Sequence, residues 1–125
     1  MRPLFFLMIL LTCVLAACDS AGSGGNPAEV VEKYLEAKVA GDESALRELL
    51  CLPMEADLQR EAASFASVTG VKIDGMQCQR VGETDIVACA GEIVATYGTE
   101  DTSFPLTSYR VVEEDGVWKW CGEAG

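Results

Sequence analysis

The period of the apolar residues changes once along this chain, at Gly70, and that change limits what it can fold into. Before it, apolar side chains recur at helical spacing: Val30, Val31, Tyr34, Leu35 and Val39 form one stripe. Asn26 caps this helix, Pro27 suits its first turn, Glu29 lies at the positive end of its dipole, and Gly41 ends it. Asp42 caps a second helix with Leu46, Leu49 and Leu50 inward. Pro53 stops it and starts a third, expected to run to about Val68 with Met54, Leu58, Ala62 and Phe65 buried. After Gly70 four alternating segments follow, separated by turn residues: Val71–Val81, Ile86–Tyr97, Ser103–Val112 and Val117–Cys121. Helices first and a strand meander second specify an α+β domain, residues 27–125, with three helices packed on a four-stranded antiparallel sheet.

Register can be read within the first hairpin. If Val81 pairs with Ile86 across the turn Gly82–Asp85, Cys78 falls directly opposite Cys89. Directly opposed Cα atoms lie about 4.5–5.5 Å apart, within reach of a disulfide. The chain has six cysteines. Four of them, Cys51, Cys78, Cys89 and Cys121, fall within the α+β domain and allow three pairings. The register favours Cys78–Cys89, which leaves Cys51–Cys121 to tie the second helix to the last strand. These four form no Cys-x-x-Cys pair and the chain has no histidine, so neither a zinc site nor any other metal or cofactor site is expected.

A second feature concerns where the chain works. Arg2 precedes an apolar run, Leu4–Ala17, that is shorter than the roughly 20 residues a membrane span needs. It has the length of a signal-peptide core. The run ends on Leu15-Ala16-Ala17-Cys18, which resembles the lipobox of bacterial lipoproteins. The resemblance implies cleavage after residue 17, diacylglycerol on the Cys18 thiol, and an extracytoplasmic domain tethered to the cell membrane. Residues 18–26 are then a lipidated cysteine and a Gly/Ser-rich tether whose reach is roughly 15 Å. Asp19 resembles the inner-membrane retention signal of enterobacterial lipoproteins, which places the domain on the periplasmic side if the host has two membranes.

The full sequence carries a net charge of −11, and loss of Arg2 with the signal makes the mature chain more acidic still. Such a surface repels nucleic acid and anionic headgroups, so no nucleic-acid partner is expected. The clusters Asp42-Glu43, Glu100-Asp101 and Glu113-Glu114-Asp115 lack the alternating ligands of a calcium loop and read as solvated ends.

The helix Val30-Val31-Glu32-Lys33-Tyr34-Leu35, the junction Ala40-Gly41-Asp42, and the closing stretch Tyr109–Trp120 carry a further resemblance. Over Pro27–Gly122 the chain resembles the nuclear-transport-factor-2-like superfamily, a cystatin-like α+β fold. The resemblance implies three helices against a strongly curved sheet, forming a cone. Small lipoproteins of this superfamily, many of unknown function, end in a similar hairpin. Dimerisation through the sheet is common among relatives, so a homodimer is one expectation.

The cone interior is where a ligand would sit. Trp118 and Trp120 share one strand face with Tyr109 and Val111, either as core or as the wall of a pocket. Tyr34 and Tyr97 are further candidates for that wall. Enzymes of the ketosteroid isomerase and polyketide cyclase type use a carboxylate and an acidic donor in such a pocket. The three tyrosines could supply the phenol, and Asp57 or Asp85 the carboxylate, although none stands in a catalytic motif. No residue is therefore assigned as catalytic. The expected function is a non-catalytic binding or structural module for a small apolar ligand or an envelope protein; the alternative is an isomerase- or cyclase-like enzyme.

Overall fold

The computed structural model describes residues 25–125. The expected signal 1–17, Cys18 and the tether as far as residue 24 lie outside the described residues.

Helix α1 (Pro27–Ala40) has the ends its sequence specifies. The Asn26 side chain accepts the Ala28 N–H at 2.9 Å, and Gly41 closes the helix at φ 66°. Only glycine takes that left-handed geometry at no steric cost. Helix α2 (Glu43–Leu49) is capped by the Asp42 carboxylate, which accepts the Ala45 N–H at 3.0 Å. The third helix is shorter than expected. Leu52–Asp57 form a 3-10 turn around Pro53, and α3 covers only Leu58–Ala62. Beyond it the Ser64 hydroxyl bonds back to the Arg60 carbonyl at 3.1 Å, and the chain to Val68 runs in turns. Serines compete for backbone groups in this way and weaken helix ends. Leu58, Ala62 and Phe65 still pack on the core.

The sheet has five strands rather than four: β1 (Thr69–Arg80), β2 (Ile86–Tyr97), β3 (Glu100–Pro105), β4 (Ser108–Glu114) and β5 (Val117–Glu123). The single segment expected over Ser103–Val112 is divided at Leu106-Thr107. Both pieces lie beside β2, β3 along Glu92–Tyr97 and β4 along Ile86–Ala88. Pro105 lacks the N–H needed to continue a ladder on both sides. Leu106 N–H to Gly91 O (2.9 Å) and Cys89 N–H to Thr107 O (3.0 Å) carry the pairing across the break. The spatial order is β1-β2-β4-β5, all antiparallel, with β3 alongside β2.

On the other side of β2 the register slips between Asp74 and Gln77, a bulge opposite Gly91. A bulge bends and twists the strand that carries it. Gly91 sits at φ 104°, and a Cβ there would lie 2.7 Å from Asp74 O and from the Gly75 carbonyl carbon. Gly91→Ala is therefore expected to cost about 2–3 kcal/mol, through both backbone strain and a clash with main chain. Gly75→Ala, at φ 65° with open space around the new atom, should cost about 1 kcal/mol. Urea midpoints of the two variants check this ranking.

Two disulfides cross-link the domain, one within the sheet and one between the helical layer and the sheet. Cys78 pairs in register with Cys89 and is bonded to it, with Cα atoms 4.1 Å apart. Cys51 is bonded to Cys121 across a sequence separation of 70. Beside that bridge, Leu50 forms a parallel contact with Trp120, and the Cys51 N–H donates to Trp120 O at 2.9 Å. At Trp120 the outer edge of β5 is thus met by the residues that follow α2. The core lies between the helices and the sheet and contains Val31, Tyr34, Leu35, Leu46, Leu50, Val87, Ile93, Tyr109, Val111 and Trp120.

Candidate functional site

Three of the aromatic residues expected in a pocket wall converge on one point. Tyr34 stands in the middle of α1, on the apolar stripe that faces the sheet. Its ring stacks on Trp120 of β5 at 3.7 Å between centroids and 11° between planes. Tyr109 of β4 closes the group with its ring 6.4 Å from Tyr34, tilted by 58°. All three are buried, with exposures of 1%, 3% and 5% for Tyr34, Trp120 and Tyr109. They pack together between α1 and the sheet.

The polar end of this group is a three-residue network. The Tyr34 hydroxyl donates to Glu61 Oε2 at 2.5 Å. Lys38, one turn further along α1, places Nζ 3.1 Å from the same oxygen and donates to the Tyr34 hydroxyl at 3.2 Å. Glu61 is the one buried charged side chain among the described residues. A buried carboxylate needs a countercharge and hydrogen bonds to offset its lost hydration, and Lys38 and Tyr34 supply them. Burial, the bond to Glu61 and its negative charge, in that order, push the Tyr34 phenol well above its ordinary range. Tyr109 is raised as well, mainly by burial.

These two tyrosines hold their protons longer in the folded than in the unfolded chain. Their contribution to stability is fully present below about pH 10 and is lost as pH rises beyond it. Each proton retained only by the folded form steepens the loss by about 1.4 kcal/mol per pH unit. Urea melts between pH 9 and pH 12 should show stability falling only above the ordinary phenol range, less steeply in Tyr34→Phe.

The other expected wall residues lie elsewhere. Trp118 packs at the margin of the core, with the Arg80 guanidinium 5.0 Å over its ring. Tyr97, 46% exposed, lies against Phe104, which in turn meets Phe65 at the margin of the core. Neither carboxylate expected from sequence reaches the tyrosines. Asp57 pairs with Arg60 at 2.9 Å, and Asp85 stands in the first hairpin turn, 4.0 Å from Arg80. Their place is taken by Glu61, which the sequence reading passes over. Its position was the signal: it follows Leu58 by three and precedes Phe65 by four, on the apolar stripe itself.

Surface grooves lie between α1 and α2 (about 410 Å³) and between α1 and β1 (about 440 Å³). Neither is lined by Tyr34, Tyr109 or Trp120. Among the described residues no cluster of Cys, Asp or Glu is arranged to hold a metal ion, and no helix is long and apolar enough to cross a membrane.

Neither a protein-family profile nor any curated protein matches this chain. Among solved structures it is similar to a protein named Rd1NTF2_05 carrying five substitutions. The TM-score is 0.55 at 14% identity, over 78% of this chain and 94% of that one. It also resembles a de novo β-sheet design protein solved by solution NMR, with a TM-score of 0.47 at 13% identity, over 78% and 91% of the two chains. The likeness to the first is one of architecture: the domain has the nuclear-transport-factor-2-like fold.

Proposed function

We propose that this chain is a lipid-anchored, extracytoplasmic protein whose cone-shaped domain is a non-catalytic binding module for a protein partner at the cell envelope. The observation that carries this choice is the interior stack of Tyr34 and Trp120. Where a ligand-binding relative would need a cavity, two aromatic rings lie face to face, closed by Tyr109. A filled cone leaves the outer surfaces to carry recognition. The anchor is argued from Arg2, the apolar run Leu4–Ala17 and the lipobox-like Leu15–Cys18. Acylation of Cys18 with more than one chain gives stable membrane attachment, where a single chain is marginal.

Glu61 and Tyr34 favour a second reading. A buried carboxylate bonded to a phenol is the pair that an isomerase- or cyclase-like site requires. Here the carboxylate is already neutralised by Lys38, and the phenol donates its proton to that same carboxylate. Both groups are occupied, and Tyr34 is only 1% exposed, so a substrate has no approach to it.

Two measurements test the proposal separately. Cells fed radiolabelled palmitate should label the wild-type chain and not Cys18→Ser; a chain that never takes up label has no anchor. Isomerase or cyclase turnover abolished by Glu61→Gln would replace the binding module with an enzyme.

A further inference from the structure

Strand β1 ends the sheet order and pairs only with β2, so the backbone groups facing the other way have no strand partner. Cys78 shows how one of them is satisfied. Its close approach to Cys89, with Cα atoms 4.1 Å apart, marks a pair that exchanges no backbone hydrogen bonds. The Cys78 N–H therefore points out of the sheet edge, where Glu32 Oε1 of α1 accepts it at 3.3 Å. A side-chain oxygen stands where the carbonyl of a neighbouring strand would bond. Exposed edges of this kind are templates for strand addition unless a protein blunts them.

Beside this edge runs the groove between α1 and β1. Its floor is apolar, formed by Val39, Ala40, Val71, Ile73 and Met76, and Glu36 stands on its rim. Glu32 and Glu36 have no ion-pair partner among the described residues, whereas Glu29 on the same helix is paired with Lys33 at 2.9 Å. The nearby cations are engaged: Lys72 lies 3.6 Å from Asp74, and Arg80 stacks on Trp118. Among the described residues the edge thus combines backbone that has no second strand partner, an apolar trough and two carboxylates with no cation beside them.

We infer that the β1 edge is a docking surface for an extended protein segment in which apolar residues alternate with lysine or arginine. Its backbone adds a strand to β1, a carbonyl of the segment replacing Glu32 at the Cys78 N–H, and alternate side chains drop into the trough over Val71, Ile73 and Met76. The intervening cations meet Glu32 and Glu36, and the strongly acidic domain attracts such a segment from a distance. This assignment deepens the binding-module reading by naming the partner's chemistry, and it does not depend on the lipid anchor.

The test is a selection of random heptapeptides displayed on phage against the whole oxidised chain in dodecyl maltoside micelles. Expected are sequences alternating apolar and basic residues, and a synthetic copy that shifts the amide NMR signals of Ile73, Cys78 and Arg80. Glu36→Lys should weaken that peptide at least tenfold with an unchanged circular dichroism spectrum. Glu55→Lys, exposed in the Leu52–Asp57 turn that packs beside α3 and β5, should leave affinity within twofold. Failure to enrich such sequences, shifts confined to other strands, or equal affinity for the Glu36→Lys variant would each overturn the assignment. Palmitate labelling is unaffected by any of these outcomes, and the absence of Glu61-dependent turnover does not predict them.

Discussion

Removing the Cys51–Cys121 bridge by the double substitution Cys51→Ala, Cys121→Ala is expected to lower stability by about 4 kcal/mol in urea denaturation. The bridge closes a loop spanning a separation of 70 residues, which holds α2 and β5 together in the unfolded chain as well as the folded one. Its loss also loosens the Leu50–Trp120 contact and the Cys51 N–H bond that meet the edge of β5 at Trp120. For a domain near 100 residues, a loss of this size lowers the melting temperature by roughly 20 °C. The Cys78–Cys89 bridge closes a separation of only 11 residues, inside a hairpin whose register is already set by neighbouring pairs. Its removal should cost less, about 3 kcal/mol. Equal losses for the two double variants, or a larger one for the hairpin bridge, would contradict this account of the two bridges.

Trp120→Ala should cost about 4 kcal/mol, in the range for deleting a buried aromatic side chain. Trp120 is the centre of the stack, covered by Tyr34 on one face and by the end of α2 at its backbone. Its indole nitrogen has no hydrogen-bond partner among the described residues. Trp120→Phe therefore sacrifices volume but no hydrogen bond, and should cost about 1.5 kcal/mol. The alanine variant has a further expected property. An apolar hole beside the Tyr34 ring stays dry and binds small aromatic molecules. Millimolar indole should raise the melting temperature of Trp120→Ala and leave the wild type unchanged. A wild type stabilised by indole would mean that the cone already has room.

Much of the fold is legible because local chemistry decides it. Asn26, Pro27, Gly41 and Asp42 mark helix ends through capping and backbone geometry, and the structure uses each of them in that role. Alternation around the turn Gly82–Asp85 places Cys78 opposite Cys89 with no knowledge of the rest of the sheet. The misses come from tertiary demands. One long strand reads naturally across Ser103–Val112, yet the segment beside β2 breaks after Pro105 into β3 and β4, opposite the stretch around Gly91 where β1 carries its bulge. The third helix carries the right apolar stripe but ends at Ala62, where Ser64 turns back on the chain. Glu61 escapes because a charged residue on a buried stripe looks like a solvated one until its partners are known. Those partners, Tyr34 and Lys38, lie on another helix. In the candidate site, strand parity puts Tyr109, Trp118 and Trp120 on one face, and only the structure separates Trp118 and Tyr97 from the stack of Tyr34, Tyr109 and Trp120. Their close stacking, with 3.7 Å between the Tyr34 and Trp120 centroids, is set by tertiary packing that no sequence pattern reports.

The central claim is that the cone is filled and the domain works through its surface. A native mass spectrum of the whole oxidised chain, released gently from detergent, tests it most directly. The account predicts the mass of the polypeptide with its covalent acyl groups and nothing that leaves on denaturation. A small molecule that travels with the folded chain and is lost on unfolding would contradict it and make the interior, not the β1 edge, the place of recognition.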